Sequence, residues 1–362
     1  MVRRGSSLLE VLIAIFVVLV GLLGVAALVF VGGHKGSRGA SADTAAAVGH
    51  EAQRTFTVRQ WQIPRHFWTA YDATQNQWVR FAEVPNIPVA IDPRLVARHG
   101  SAVSTFPYTA AGNVHVTTPP TMVRCNLFAA PYTDQTAAGQ APPPMGVGLA
   151  DHLFVSQDDL VMLETGNADT PAIQITTDDP SNPNLPATQR RSHGRYSWMA
   201  TIVPQLAIPD RMLSIVVFRS RDVTAPHATQ ERVVAIQFLG GAGGGQAVLT
   251  YNGPQAGAKA ALELRADQWL LVGATVQAGT QTLQVWHWYR AVHVSAVSGS
   301  DTTFTRNVTL AGPDWSFGNW VVTGAPQAVL MDGIVAVYER PISLEQPSRF
   351  STDTAIPVPV AN

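Results

Sequence analysis

The sequence predicts an α+β protein in which a long N-terminal helix precedes a large, mainly antiparallel β body. Three observations carry this reading. Residues Val11 to Val31 are apolar residues and glycine alone. Ala45, Val48, Ala52 and Phe56 then recur at spacings of 3, 4 and 4, which places them on one face of a helix. The second half of the chain is a succession of β-branched and aromatic runs separated by Gly, Pro, Asn and Asp.

The first element follows from length and polarity. Val11 to Val31 as a helix would rise about 31 Å, enough for the hydrocarbon core of a bilayer, so a transmembrane helix is expected. Arg3 and Arg4 favour a cytoplasmic N-terminus, although Lys35 and Arg38 on the other flank weaken the charge asymmetry. Glycines at 32, 33, 36 and 39 mark a join, after which the face of Ala45, Val48, Ala52 and Phe56 is expected to pack on the body. This divides the chain into 1–5, a transmembrane and stem helix over 6–57, a loop-rich part over 58–190, and an antiparallel β domain over 191–362.

Between Val58 and Pro186, prolines at 64, 85, 88, 93, 107, 119, 120 and 142–144 disfavour long regular elements. Short strands remain possible at Gln77 to Val84, Val114 to Thr117, Met122 to Leu127 and Leu160 to Leu163. Thr133 to Gln140 and Thr176 to Gln189 read as surface loops. Beyond 191, strands are expected at Tyr196 to Val203, Met212 to Arg219, Arg232 to Leu239, Gln246 to Tyr251, Trp269 to Val276, Leu283 to Val294, Asn307 to Leu310, Trp320 to Val322 and Val329 to Tyr338. Leu283 to Val294 carries large residues on both faces and should be covered on each side. Gly240 to Gly245 reads as a hairpin loop.

The one carboxylate at the mouth of the apolar run is Glu10, where an unpaired charge would cost several kcal/mol. The stretch Gly5-Ser6-Ser7-Leu8-Leu9-Glu10-Val11-Leu12-Ile13-Ala14 resembles the processing and methylation segment of type IV prepilins and type II secretion pseudopilins. Gly21-Leu22-Leu23-Gly24 is more similar to minor pilins and pseudopilins than to major pilins. The resemblance covers roughly the first fifty-five residues. It implies cleavage between Gly5 and Ser6 by a prepilin peptidase, N-methylation of Ser6, and Glu10 as fifth residue of the mature chain. It further implies that Glu10 is neutralised by the terminal amine of a neighbouring pilin or pseudopilin subunit in a filament. Ser6 stands where the family usually has phenylalanine or methionine. The implied place is the cytoplasmic membrane, with the globular part outside, and the implied role is structural, in a type IV pilus or a secretion pseudopilus.

Composition narrows the other classes. A net charge of −1 gives no general electrostatic reason to bind nucleic acid. Cys125 stands alone, so no intrachain disulfide can form. His50-Glu51-Ala52-Gln53-Arg54 has arginine where a zinc-protease helix needs its second histidine, and neither a phosphate loop nor a nucleophile elbow occurs. No enzyme activity and no cofactor are expected. Asp178, Asp179 and Asn182 offer oxygen ligands of the kind calcium takes, although turn chemistry accounts for the same residues. The tryptophans at 198, 269, 286, 288, 315 and 320 read as packing residues; exposed and coplanar, they would instead favour an adhesive or carbohydrate-binding module tethered by the stem.

Overall fold

The computed structural model describes residues 8–81, 86–108, 114, 116, 120–132, 143–156, 195–205, 211–224, 230–240, 244–300 and 302–345; the side chains of 8–10, 27–35, 37 and 38 lie outside that description. The chain divides into two compact units, Met1–Ala47 and Val48–Asn362. Helix α1 (Leu8–Val58) belongs to both. Over 11–26 every residue is exposed, and the apolar side chains surround the helix instead of forming one stripe.

The second unit is a body of two sheets. Its chain runs from α1 through α2 (Pro64–Phe67), β1 (Trp68–Asp72), β2 (Gln77–Arg80), β3 (Val89–Ile91) and α3 (Pro93–His99) to β4 (Thr105–Phe106), β5 (Met122–Leu127), α4 (Val147–Phe154), β6 (Tyr196–Pro204) and β7 (Arg211–Arg219). There follow β8 (Glu231–Gly240), β9 (Gly244–Asn252), α5 (Gln255–Ala261), β10 (Trp269–Ala278), β11 (Gln281–Val294), β12 (Ser298–Ser300), β13 (Thr303–Ala311), β14 (Val321–Val322), β15 (Gln327–Met331) and β16 (Ile334–Ile342). The first sheet has the order β16-β7-β6-β3-β5-β1-β2, with β4 on β5. The β3–β5 pair in it is parallel.

The second sheet closes on itself. Strands run β11-β10-β15-β8-β9-β13, and β13 pairs back to β11, so every strand of this ring has two neighbours. Inside the ring lie Val234, Ile236, Leu249, Leu270, Val272, Tyr289, Val308 and Leu330, with Leu262 and Leu264 beside α5 joining the same cluster. The outer side of β10, β11 and β15 meets the first sheet: Leu271, Trp286, Trp288 and Val329 pack with Met199, Val216 and Phe218. Trp288 Nε1 donates to Thr201 Oγ1 across this layer at 3.2 Å. Gly273 faces Trp286 in register, and a Cβ there would lie 2.3 Å from the indole. A glycine is therefore what lets the ring lie flat on β10.

Two expectations are corrected. Among the described residues strands make up 45% and helices 27%, so what is described is mostly β and not an α+β fold framed by its helix. The physical reason lies in 58–190: strands of two to six residues fit between its prolines and, as β1–β5, supply most of the first sheet's members. Nor, among the described residues, is any helix long and apolar enough to cross a membrane. A smaller difference concerns Val329 to Tyr338, which is two strands in different sheets. Asp332 and Gly333 turn the chain between them, Gly333 at φ +78° and so close to the Arg219 carbonyl that a Cβ would sit 2.7 Å from it.

Candidate functional site

Of the residues singled out in the sequence, Gly5 and Ser6 lie outside the described residues, as do Asp178, Asp179 and Asn182 and the expected strand Leu160 to Leu163. Glu10 lies in α1 and its side chain is outside the description. What is described of the stem is its two contrasting parts. Residues 11–26 are apolar and exposed, whereas Ala45, Val48, Ala52 and Phe56 are buried to within 2%. Helical periodicity accounts for the second set, whose spacing puts one apolar residue on the same face at each turn.

Within the body, the end of α1 lies along β16. Gly49 leaves room for the Tyr338 ring, where a Cβ would come to 2.2 Å of Cδ2. Gln53 Nε2 reaches the Tyr338 carbonyl at 3.5 Å, and Arg340 Nη2 donates to Thr57 Oγ1 at 2.9 Å. Below Phe56 comes a continuous aromatic stack. Phe56 meets Trp61 edge-on, Trp61 stacks on Phe154, and Phe154 stacks on Trp198 with centroids 4.2 Å apart. The Trp68 indole N–H closes the turn by donating to the Trp61 carbonyl at 2.8 Å.

Four charged side chains form a buried group in the body that the sequence did not reveal. Asp92 sits between β3 and α3, Arg124 within β5, Arg221 after β7, and Glu231 at the start of β8. Arg124 is 0% and Asp92 1% exposed at the side chain. Arg124 donates to Asp92 Oδ2 at 2.9 Å and to Glu231 Oε2 at 2.5 Å. Arg221 forms a fork on Asp92, with bonds of 3.0 Å to Oδ1 and 2.6 Å to Oδ2. The Tyr108 backbone N–H adds a 2.7 Å bond to Glu231 Oε2. Burial by itself would push the Asp92 carboxyl up; Arg221 first and Arg124 second hold it below the usual carboxylate range. Burial likewise opposes the charge on Arg221, and Asp92 more than restores it.

A cavity of about 420 Å³ opens beside this group, with Phe218, Arg219, Arg221, Gln230, Glu231 and Met331 among its walls. Asp92 and Arg221 are held away from neutrality in opposite directions, so this pair is suited to fixing the junction of the two sheets, not to passing protons. The signal in the sequence was faint: one arginine inside the apolar run Met122 to Leu127, and one glutamate opening the run that becomes β8.

None of the nine tryptophans is exposed: 61, 68, 198, 286 and 288 are buried and 78, 269, 315 and 320 half-buried. Their faces are spent on packing, which removes the observation that would have favoured a sugar-stacking surface. Cys125 is buried in β5, and burial pushes its thiol well up, away from the reactive thiolate. Among the described residues no group of three His, Cys, Asp or Glu side chains is placed to hold a metal. Comparison with protein-family models, with curated proteins and with solved structures finds no match to this chain.

Proposed function

We propose that this chain is a minor pilin or pseudopilin, a structural subunit that a prepilin peptidase processes between Gly5 and Ser6. The observation that carries the reading is the two-part character of α1. A helix that is apolar all round has no stable place in water and requires an apolar environment on every side. The residues 11–26 are such a helix, and they are joined to a segment whose Val48, Ala52 and Phe56 are already committed to the body. The body therefore holds one end of the helix and leaves the other for a lipid phase or a bundle of like helices.

The spacing from Gly5 to Glu10 supports the processing step, and the apolar run from Val11 to Val31 supports delivery to the cytoplasmic membrane with the body outside. The partners would be the peptidase and other pilin-type subunits, and Glu10 would fix the register of the helix among them. The buried tryptophans favour this scaffold role over a tethered adhesive or carbohydrate-binding module. N-terminal sequencing of native protein extracted from membranes tests the reading. It should begin at Ser6; a chain beginning at Met1, or one cut beyond Val31, rules the reading out.

A further inference from the structure

The hairpin formed by β10 and β11 runs past the ring, and the face that continues from the ring's interior is apolar there: Ala274, Val276 and Val285 are buried. Their cover is the segment Gly312 to Val322, which packs Trp315, Phe317, Trp320 and Val322 over them. This cover is lightly fastened. Only Val321 and Val322 pair with β10, supplemented by the Thr323 N–H to the Thr275 carbonyl at 2.8 Å.

At the centre of the contact is a titratable ring. His287 on β11 stacks on Phe317 with centroids 5.9 Å apart and planes 6° from parallel, and meets Trp315 edge-on at 6.1 Å. We propose that Gly312 to Val322 is an acid-released strap, held on the β10–β11 hairpin by the uncharged ring of His287.

The surroundings offer a charged imidazolium little compensation. In β10 the residue facing His287 is Val272, and neither β10 nor β14 contains a charged residue. The strap contributes one carboxylate, Asp314, which is exposed and acts on the Tyr289 phenol; β11 itself contributes that phenol, and β8 contributes Phe238 stacked on Trp315. Burial accordingly lowers the His287 ring to about 4. With the strap lifted the ring faces water and returns toward about 6.5. Below that value the open form binds the proton more readily than the closed form, so acid favours opening, and the effect levels off below about pH 4. The two values imply an opening constant that rises roughly a hundredfold between pH 7 and pH 4.

Hydrogen exchange on the full chain in detergent, corrected for the intrinsic pH dependence of exchange, reads this at the amides of Trp320 and Thr323. Their protection should fall by about two orders of magnitude from pH 7 to pH 4 and return on neutralisation, while amides of β8, β9 and β15 keep theirs. In His287→Phe, which keeps the stack and cannot charge, the pH dependence should vanish. The proposal is overturned if wild-type protection at Trp320 and Thr323 does not change with pH, if the ring strands open together with the strap, or if His287→Phe loses protection as the wild type does. Should His287→Phe fail to fold, the wild-type measurement decides alone: the ring of His287 must titrate near the midpoint of the strap's opening.

Discussion

Asp92→Asn changes one atom's worth of chemistry and removes the charge that two buried guanidiniums share. In the native protein Arg124 and Arg221 balance Asp92 and Glu231, so the group is neutral although its side chains are at most 5% exposed. The amide can accept through one oxygen only, so the fork from Arg221 is lost. Arg124 and Arg221 are then left with Glu231, which Arg221 reaches only at 3.8 Å. Arg94, whose charge also acts on Asp92, adds to the surplus. Breaking one member of a buried ion pair costs about 3–5 kcal/mol, about a fifth or more of the stability of an ordinary domain. Thermal and urea unfolding of the full chain in detergent, followed by circular dichroism, should show a loss of that size near neutral pH. The pH dependence provides the internal control. Because the folded-state pKa of Asp92 is depressed below 3.8, its contribution is present above that value and is lost as pH falls through the lower, folded one. The gap between variant and wild type should therefore close in acid. A loss under about 0.5 kcal/mol at pH 7, the range of an ordinary surface substitution, would refute the assignment of this group as the fastening between the sheets.

Two further substitutions probe the stem. Gly49→Val should lower the unfolding free energy by about 1 kcal/mol or more, since its Cβ would fall 2.2 Å from Tyr338 Cδ2, and Tyr338→Ala in the same chain should recover part of the loss; an additive double variant would mean the two residues do not meet. Glu10→Val should leave membrane association intact, because it makes the segment more apolar, but reduce crosslinking to neighbouring subunits; unchanged crosslinking would remove the assembly role proposed for this carboxylate.

Most strands beyond residue 191 were legible because they are runs of β-branched and aromatic residues long enough to stand out from their turns; β12, Ser298-Gly299-Ser300, has no such composition and was not expected. Where the sequence misled, the pattern was too short or the decisive partner too distant. Val329 to Tyr338 reads as one strand by composition, and the Asp332-Gly333 pair inside it is a turn signal that the apolar flanks outweigh. The three residues of β3 form a strand because β5 and β6 flank them on either side, a fact recorded some thirty and a hundred positions away. Burial of Arg124 was illegible for the same reason. Its partners come from β8 and from the residue before α3, and no period in the sequence links them. The alternation of β11 was informative on its own: Trp286 and Trp288 lie in the layer between the sheets, while Tyr289 lies inside the ring.

The ring closure has a consequence for how such a body behaves when crowded. An exposed strand border is a template onto which another chain can add, and a closed ring offers none along its six members. Borders survive in the first sheet, at β2 and β16. The former is only 4 residues long, a poor seed. The latter is 9 residues long, and it is there that Gly49, Gln53 and Thr57 of the helix lie. The end of the helix thus serves as a guard rail as well as a stem. Cutting the chain near residue 60 would uncover a long, receptive strand, and the resulting fragment should self-associate through β-pairing in addition to losing stability.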